Sequence, residues 1–312
     1  MPHKQILHFT RVNADNTTRE QAERGECMRH FALLFMAVSL IIALFAQGYH
    51  IPELSADNFK NFHNQAGDFP IFPMLFITIA CGAISGFHAT QSPLMARCMK
   101  NEKLGRRVFY GAMITEAVVA MIWATISMSF FGGIRELNEI MVEHQGNAAW
   151  VVNETANGLL GTFGAFLAIL GVVAAPITSG DTAFRSARLI VSDFLNLKQG
   201  PIKNRLVISI PLFAVGFFLT QINFDVIWRY FAWSNQTLAT VVLWTITVYL
   251  VKEKKNFWIT LIPALFMTAV ISTYLFLAPE GFHLSKEISY AVGGVITLLS
   301  GLLFLAYYRK TN

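Results

Sequence analysis

The stretch that decides the fold class reads GLLGTFGAFLAILGVVAA (158–175) followed by PITSGDTAFRSAR (176–188). Its first part is an uncharged apolar run long enough to enter a bilayer, because about 20 helical residues cross a hydrocarbon core of roughly 30 Å. Pro176 and Gly180 both disfavour helix, so we expect the helix to end there. Polar groups at a membrane boundary are costly unless they line a cavity or bind something. The stretch therefore predicts a membrane helix that ends in a functional break.

The predicted break offers several oxygen atoms and one cation. Thr178 and Ser179 supply hydroxyls, and Asp181 supplies a carboxylate. Arg185 lies one helical turn past Asp181, where the two side chains can pair. One interpretation is a cytoplasmic-side gate or an ion-binding corner, with oxygen atoms that suit Na⁺ or with a carboxylate that carries a proton. The other is that Asp181 caps the helix that follows. The residues leave both interpretations open.

The composition points to a membrane protein. Of 312 residues, 54% are hydrophobic and 14% are charged, whereas an ordinary soluble domain has about 25% charged residues. The apolar residues form long uninterrupted runs. Cys27, Cys81 and Cys98 are scattered along the chain and predict neither a disulfide framework nor a metal cage. We therefore expect an all-α, polytopic membrane helix bundle with no metal and no cofactor.

The apolar runs predict eight transmembrane helices. Residues 1–27 are polar, contain no signal peptide and predict a cytoplasmic extension, and residues 28–312 form the transmembrane domain. Charged and apolar residues alternate in 181–197, which predicts an amphipathic helix on the membrane surface. The predicted spans are 29–47, 70–92, 107–131, 158–178, 205–222, 226–251, 257–277 and 288–308.

The charge distribution orients this bundle with both termini in the cytoplasm. In that orientation 20 of the 24 Lys and Arg residues lie in cytoplasmic segments and three lie in outside loops, which is the pattern of the positive-inside rule. The formal net charge of +5 is therefore spread over several loops. Because no face gathers this charge, nucleic acid is not a predicted partner. The expected surrounding is the lipid bilayer.

Two predicted spans carry polar groups inside the bilayer. In the second span, Gly82 and Gly86 have the spacing of close helix packing, while Ser85 beside Gly86 also suits an unwound segment that lines a substrate path. His88 follows as an interfacial hydrogen-bonding group or as a proton carrier. In the third span, Glu116 lies roughly 14 Å deep at about 1.5 Å per residue. A carboxylate at that depth either forms a structural hydrogen bond to a neighbouring helix or carries a proton. Glu116 is therefore our candidate for coupling transport to protons.

The sixth predicted span begins with two opposite charges and continues with consecutive polar residues. Asp225 and Arg229 are four residues apart and can pair on one helix face. Asn235 and Gln236 follow near mid-depth, where their amides bridge helices or contact a polar ligand. Arg185 and Arg229 are candidates to attract an anionic substrate. The alternative is that each only forms an ion pair with its neighbouring aspartate.

These stretches together resemble the carbon starvation CstA family of bacterial inner-membrane transporters. The similar strings follow one another in family order and cover roughly residues 28–308. They are FPMLFITIACGAISGFHA (72–89), YGAMITEAVVA (110–120), PITSGDTAFRSARLI (176–190), PIKNRL (201–206), FDVIWRYFAWSNQTLA (224–239) and IPALFMTAV (262–270).

The resemblance implies a secondary transporter that takes up a small carbon source by symport with protons. Pyruvate is the substrate class of the BtsT-like branch, and peptides are proposed for CstA itself. The family is grouped with the amino acid–polyamine–cation transporters, which implies broken helices around the substrate site. Family members carry further N-terminal helices with a string of the type AIAGAGP, which this chain lacks. The chain therefore resembles the C-terminal part of the family, and the missing helices, as a separate chain, are a candidate partner.

Three classes of function can be compared on these grounds. A component of a secondary transporter is the predicted function. The alternative is a transport-incompetent membrane sensor or scaffold, or one half of a split transporter. An intramembrane enzyme is not predicted, because the sequence contains neither the H-E-x-x-H spacing of a metal site nor a G-x-S-x-G nucleophile elbow.

Overall fold

A computed structural model describes residues 34–51, 60–63, 66–79, 84–144, 146–222 and 224–311. The side chains at 87, 88, 90, 91, 94, 167–176, 178, 224, 225 and 311 lie outside this description. Every regular element among the described residues is a helix, which confirms the all-α fold class. The predicted cytoplasmic extension 1–27 lies outside the described residues.

The described residues form the helices given below. A 3₁₀ turn at Glu102–Leu104 and a π-helical turn at Arg106–Tyr110 lead directly into α4. The described helices are α1 (Leu34–Ala46), α2 (Ile71–Ile79), α3 (Gly86–Cys98), α4 (Gly111–Phe130), α5 (Ile134–Glu143), α6 (Ala148–Phe194), α7 (Ile202–Leu219), α8 (Phe224–Lys252), α9 (Trp258–Leu277) and α10 (Lys286–Thr311).

Five helices in the described part of the chain are long and apolar enough to cross a membrane. They coincide with five of the predicted spans, so a multi-pass membrane protein is supported. The other predicted spans fall on α1, on α2 with α3, and on α6, which are short or only partly described. The count of eight and the cytoplasmic position of both termini stay predictions. The five helices are Glu102–Phe130, Ile202–Leu219, Val226–Lys252, Trp258–Leu277 and Lys286–Lys310.

Helix α6 continues through the predicted break, so that prediction is wrong. The helix includes both Pro176 and Gly180 in its 47 residues. Its non-helical residue is Gly161, at φ 61° and ψ −149°, a conformation that glycine adopts without a Cβ penalty. Proline is tolerated inside a membrane helix, whereas ending the helix there would leave several backbone groups without partners in lipid. The kink therefore lies at Gly161 and not at Pro176.

Two further predictions fail together with the break. The predicted surface helix 181–197 is not a separate element, because α6 continues from the predicted span 158–178 as far as Phe194. Asp181 therefore lies inside α6 instead of capping the start of a helix. The N-cap of α6 is Asn147, whose side chain accepts a hydrogen bond from a backbone N–H at 3.1 Å. The apolar residues that alternate with charged ones in this part of α6 include Phe184, which packs against Phe213 of α7.

The chain divides into two compact units, and the division falls within α4. Unit 1 comprises Met1–Glu53 and Ile122–Gln221, and unit 2 comprises Leu54–Met121 and Ile222–Asn312. The apolar core of unit 1 joins α1, the end of α4 and the start of α6. Its buried members are Met36, Leu40, Leu44, Ile126, Ala156 and Leu159.

Helix α9 is the centre of unit 2 and packs against α2, α8 and α10. Glycine at 293 lets α10 approach closely, since a Cβ there would lie 2.1 Å from Oγ1 of Thr273. Two indole N–H groups of α8 bond to α9: Trp233 donates to the carbonyl of Ile271 at 3.1 Å, and Trp244 donates to a threonine hydroxyl at 3.0 Å. The buried core is Ile77, Ala232, Met267, Val270, Tyr274 and Ala278.

Candidate functional site

The second predicted span consists of two helices with non-helical residues between them. Helix α2 ends at Ile79 and α3 begins at Gly86. Ile84 and Ser85 precede α3 without helical structure, and residues 80–83 lie outside the description. Each helix end leaves backbone groups without an intrahelical partner, N–H groups at the start of α3 and carbonyls at the end of α2. The discontinuity therefore concentrates polar backbone within an apolar sequence.

The start of α3 packs directly against α8. Oγ of Ser85 donates to Oδ1 of Asn235 at 3.1 Å, and both residues are buried. A Cβ at Gly86 would lie 2.5 Å from the backbone oxygen of Asn235 and 2.8 Å from Cβ of Leu238. The alternatives for this segment were close helix packing and an unwound stretch that lines a substrate path. Close packing is present at Gly86, and non-helical residues precede it, while the substrate path stays a prediction. A small residue is required here because the helix start touches the backbone of α8.

The polar run of α8 is buried at this contact. Gln236 is fully buried beside Asn235. The neighbouring threonines bond within their own helix: Thr237 donates to the carbonyl of Trp233 at 2.8 Å, and Thr240 donates to the carbonyl of Gln236 at 2.8 Å. Of the two amides, Asn235 bonds outside its own helix, because its Oδ1 accepts from Ser85 at the start of α3. Ser85, Gly86 and Asn235 are in contact, with Gln236 next to Asn235 in the sequence, and their role in a substrate path stays a prediction.

A second cluster in unit 2 surrounds a carboxylate that the sequence analysis missed. Nε of Arg229 lies 3.2 Å from Oε2 of Glu280, whose side chain is only 7% exposed. The hydroxyl of Tyr274 donates to Oε1 of Glu280, and the hydroxyl of Tyr230 donates to its backbone oxygen at 3.0 Å. These contacts tie the loop after α9 to the start of α8. The side chain of Asp225, the predicted partner of Arg229, lies outside the described residues.

Glu280 was missed because its partner lies 51 residues earlier in the chain. The pairing rule for one helix reaches only three or four residues and pointed to Asp225. One signal was present in the sequence. Glu280 stands in the short loop that the predicted orientation puts at the same membrane face as the start of the sixth span, where Arg229 lies.

The predicted residues on α6 belong to unit 1. Asp181 and Arg185 form the expected ion pair four residues apart, with an N–O distance of 2.5 Å. Ser179 is exposed on the same helix. The side chains of Thr178 and His88 lie outside the described residues. Within unit 2 the structure brings together predicted residues of α3 and α8, and within unit 1 it forms the charge pair on α6.

Glu116 lies in α4, within one of the five candidate membrane helices. Its side chain is exposed on the surface of this chain. Its role in coupling stays a prediction. Among the described residues, no group of three or more His, Cys, Asp and Glu side chains is arranged to hold a metal ion.

Comparison with known proteins gives the following relationships. The sequence profile described as "Carbon starvation protein CstA" matches residues 27–160 and 140–274. An uncharacterized protein of Haemophilus influenzae is 48% identical over 39% of this chain and 88% of its own length. "Peptide transporter CstA" of Escherichia coli is 26% identical over 75% of this chain and 44% of the transporter. "Pyruvate/proton symporter BtsT" of Escherichia coli is 37% identical over 30% of this chain and 14% of the symporter.

The chain spans less than half the length of either of these two transporters. No solved structure matches the chain. The two segments matched by the family profile overlap and together extend from residue 27 to residue 274. That range includes α1 to α8 and most of α9, and therefore the whole α3–α8 contact.

Proposed function

Because the chain belongs to the carbon starvation CstA family, we propose that it is a secondary active transporter, or the C-terminal part of one, for a small carbon source. Pyruvate and peptides are the proposed substrates, taken up with protons across the bacterial inner membrane during carbon starvation. The observation that carries the proposal is the buried contact of Ser85 with Asn235 beside the discontinuity between α2 and α3. Interrupted helices with polar neighbours are where secondary transporters bind their substrates.

The chemistry of this contact suits a small polar substrate with a carboxylate. The start of α3 carries backbone N–H groups and a partial positive charge, which favour an anion. The amides of Asn235 and Gln236 each offer two donors and an acceptor. A polar substrate could bond to both Ser85 and Asn235 in place of their mutual hydrogen bond. Both buried groups would then keep a partner. We propose that these residues and Gly86 line the substrate path. Thr178 and Ser179 on α6 are also proposed as path residues, on the sequence alone.

The Arg229–Glu280 pair supports a second part of the proposal. The pair and the hydroxyl of Tyr274 hold the loop after α9 against the start of α8. In the predicted orientation this end of α8 faces the outside. We propose that the pair closes the outer end of the path and that Arg229 attracts an anionic substrate when the pair opens.

Ion coupling is proposed for Glu116, His88 and Asp181. Glu116 lies in an apolar helix of spanning length, where a carboxylate is expensive without a function. Asp181 and the hydroxyls near it are also suited to Na⁺, which remains the alternative coupling ion. The test compares uptake under an inward proton gradient with uptake under an inward Na⁺ gradient, in wild type and in Glu116→Gln. Proton-driven uptake that is unchanged in Glu116→Gln would exclude this residue as the carrier.

A second candidate function follows from the lengths of the relatives. Since the chain corresponds to 44% of the E. coli peptide transporter, further helices on a separate chain would complete a split transporter. Alone, the chain would then be a transport-incompetent scaffold. Co-purification with a second membrane protein, together with uptake that requires both chains, would support this candidate over the first.

The decisive experiment measures uptake of radiolabelled pyruvate and of dialanine into proteoliposomes that contain the purified chain. We expect uptake above protein-free liposomes, reduced at least tenfold in Asn235→Ala because the buried amide of the path is lost. Ser234→Ala is the matched control, since this neighbouring side chain on α8 is exposed, and its uptake stays within twofold of wild type. Absence of uptake in wild type favours the second candidate, and equal uptake in both variants would place the path elsewhere.

A further inference from the structure

A cavity of about 240 Å³ lies between α6 and α7 in unit 1. Its charged residues come from α6, and its apolar residues come from both helices. The rings of Phe184 and Phe213 are 4.5 Å apart between centroids, and Phe184 also occupies the space left open by Gly216, where a Cβ would lie 2.8 Å from its ring. The remaining lining includes Asp181, Arg185, Arg188 and Ser209.

Three arginines occur where α6 and α7 meet, and two of them donate hydrogen bonds to acceptors of the protein. Arg185 pairs with Asp181. Arg205 donates to two carbonyls of the connecting loop, to Gln199 at 2.6 Å and to Gly200 at 3.4 Å. Arg188 differs, because its Nε is buried and has no hydrogen-bond acceptor among the described residues. A buried charged donor without an acceptor is unfavourable, so Arg188 is the arginine of this group whose N–H groups the described residues do not fully satisfy.

We infer that this cavity is a binding site for a small oxyanion, a carboxylate or a phosphate, held chiefly by Arg188. The two arginines and one aspartate on its wall leave one net positive charge. A guanidinium presents parallel N–H donors that match the two oxygens of a carboxylate or phosphate. Ser209 lines the same space from α7, and its hydroxyl is a candidate for a further donor.

The volume of the cavity suits a small anion. Pockets for drug-sized ligands are about 300–1,000 Å³, and this cavity is smaller. The ring pair on its wall fits a short apolar group, such as the methyl group of a 2-oxo acid. A free monocarboxylate, inorganic phosphate and the phosphate of a lipid headgroup share the required chemistry. For a monocarboxylate the inference deepens the proposed function and rests on it. Binding of an oxyanion as such does not require transport.

The test is equilibrium binding to the full chain in neutral detergent, with pyruvate and inorganic phosphate as separate probes in a titration calorimeter. Arg188→Gln is expected to weaken binding at least tenfold. Arg188→Lys is expected to weaken it about threefold, because lysine retains the positive charge but lacks the parallel N–H donors of the guanidinium. Lys203→Gln is the matched control, since it removes one positive charge from an exposed position on α7 outside the cavity. Its affinity stays within twofold of wild type.

A second measurement distinguishes a lipid from a soluble anion. The thermal transition of the chain is compared in nanodiscs of phosphatidylcholine and of phosphatidylglycerol. Both lipids carry a phosphate, but that of phosphatidylcholine is paired with a choline cation. Stabilisation by phosphatidylglycerol over phosphatidylcholine in wild type and Lys203→Gln, but not in Arg188→Gln, identifies the ligand as the phosphate of an anionic lipid. If Arg188→Gln does not fold, Ser209→Ala takes its place, with an expected loss of about threefold in affinity.

The inference is overturned if wild type binds neither probe at millimolar concentration and does not distinguish the two lipids. It is also overturned if the Arg188 variants, or Ser209→Ala where it replaces them, bind as wild type does. Because binding is measured without a gradient, its outcome is separate from that of the uptake experiment. Pyruvate binding without transport rejects the proposed function and keeps the site.

Discussion

Helices α6 and α8 both carry charged residues and a run of polar side chains within an apolar sequence. The charged pair on α6 is mostly exposed, whereas the polar groups on α8 are largely buried. On α6, Asp181 and Arg185 are 65% and 60% exposed and pair with each other along one helix face. On α8, Arg229 is 31% exposed and pairs with a carboxylate of a distant loop, and Asn235 is buried against the start of α3.

The difference shows what makes a polar residue part of a membrane fold. The pair on α6 needs only one helical turn, and it remains accessible to solvent or headgroups. The contacts on α8 need two other segments, the loop after α9 and the start of α3, to arrive at the right place. Substitutions on α8 should therefore affect the folded state more than chemically similar substitutions on α6.

The largest effect is expected from Arg229→Gln. Removing the guanidinium leaves the buried carboxylate of Glu280 without its cation, which costs about 3 kcal/mol of unfolding free energy. The measurement is reversible unfolding of the chain in mixed micelles, monitored by circular dichroism. A loss below about 1 kcal/mol would show that Glu280 is adequately solvated without Arg229, and would remove the contrast between α6 and α8.

Gly86→Ala is expected to have the next largest effect. Its Cβ would lie 2.5 Å from a backbone oxygen of α8, so α3 must move, at a cost of about 2 kcal/mol. Gly180→Ala on α6 is the matched control, because nothing lies within 4 Å of its Cβ and the residue is helical. The control should be neutral or stabilising by up to about 1 kcal/mol. Equal stability of the two variants in the same micelle assay would contradict the close α3–α8 contact.

The smallest effect is expected from Arg185→Gln. Both members of the pair on α6 are mostly exposed, and exposed pairs contribute about 0.5 kcal/mol or less. The unfolding free energy should therefore change by no more than that amount, in low and in high salt. A loss comparable to that of Arg229→Gln would mean that the α6 pair is buried in the membrane-embedded protein, and the comparison would have to be reversed.

Much of the fold follows from local rules in the sequence. Long apolar runs predicted the five helices of spanning length, and the spacing of Asp181 and Arg185 predicted their ion pair. The polar run at Asn235 and Gln236 was predicted to bridge helices or contact a ligand, and its amides are buried. These features depend on neighbours within a few residues or on burial along a single helix.

The features that were missed depend on the membrane or on distant segments. Proline and glycine were expected to end α6 by rules that apply in water, where exposed backbone is hydrated, but the helix continues through Pro176. Ser85 and its partner Asn235 are 150 residues apart, and Arg229 and Glu280 are 51 apart. No sequence spacing encodes these distances, because they result from how the helices pack.

The central claim is that the discontinuity beside α8 lines the substrate path, and thiol protection at Ser85 tests it most directly. Ser85→Cys is made in a chain whose Cys27, Cys81 and Cys98 are replaced by serine, and Ser234→Cys on the exposed face of α8 is the control. The rate of modification by a small methanethiosulfonate is measured in proteoliposomes with and without pyruvate or dialanine. The account predicts that one substrate slows modification at Ser85→Cys at least fivefold and leaves Ser234→Cys unchanged. Equal rates at Ser85→Cys with and without both substrates would contradict it.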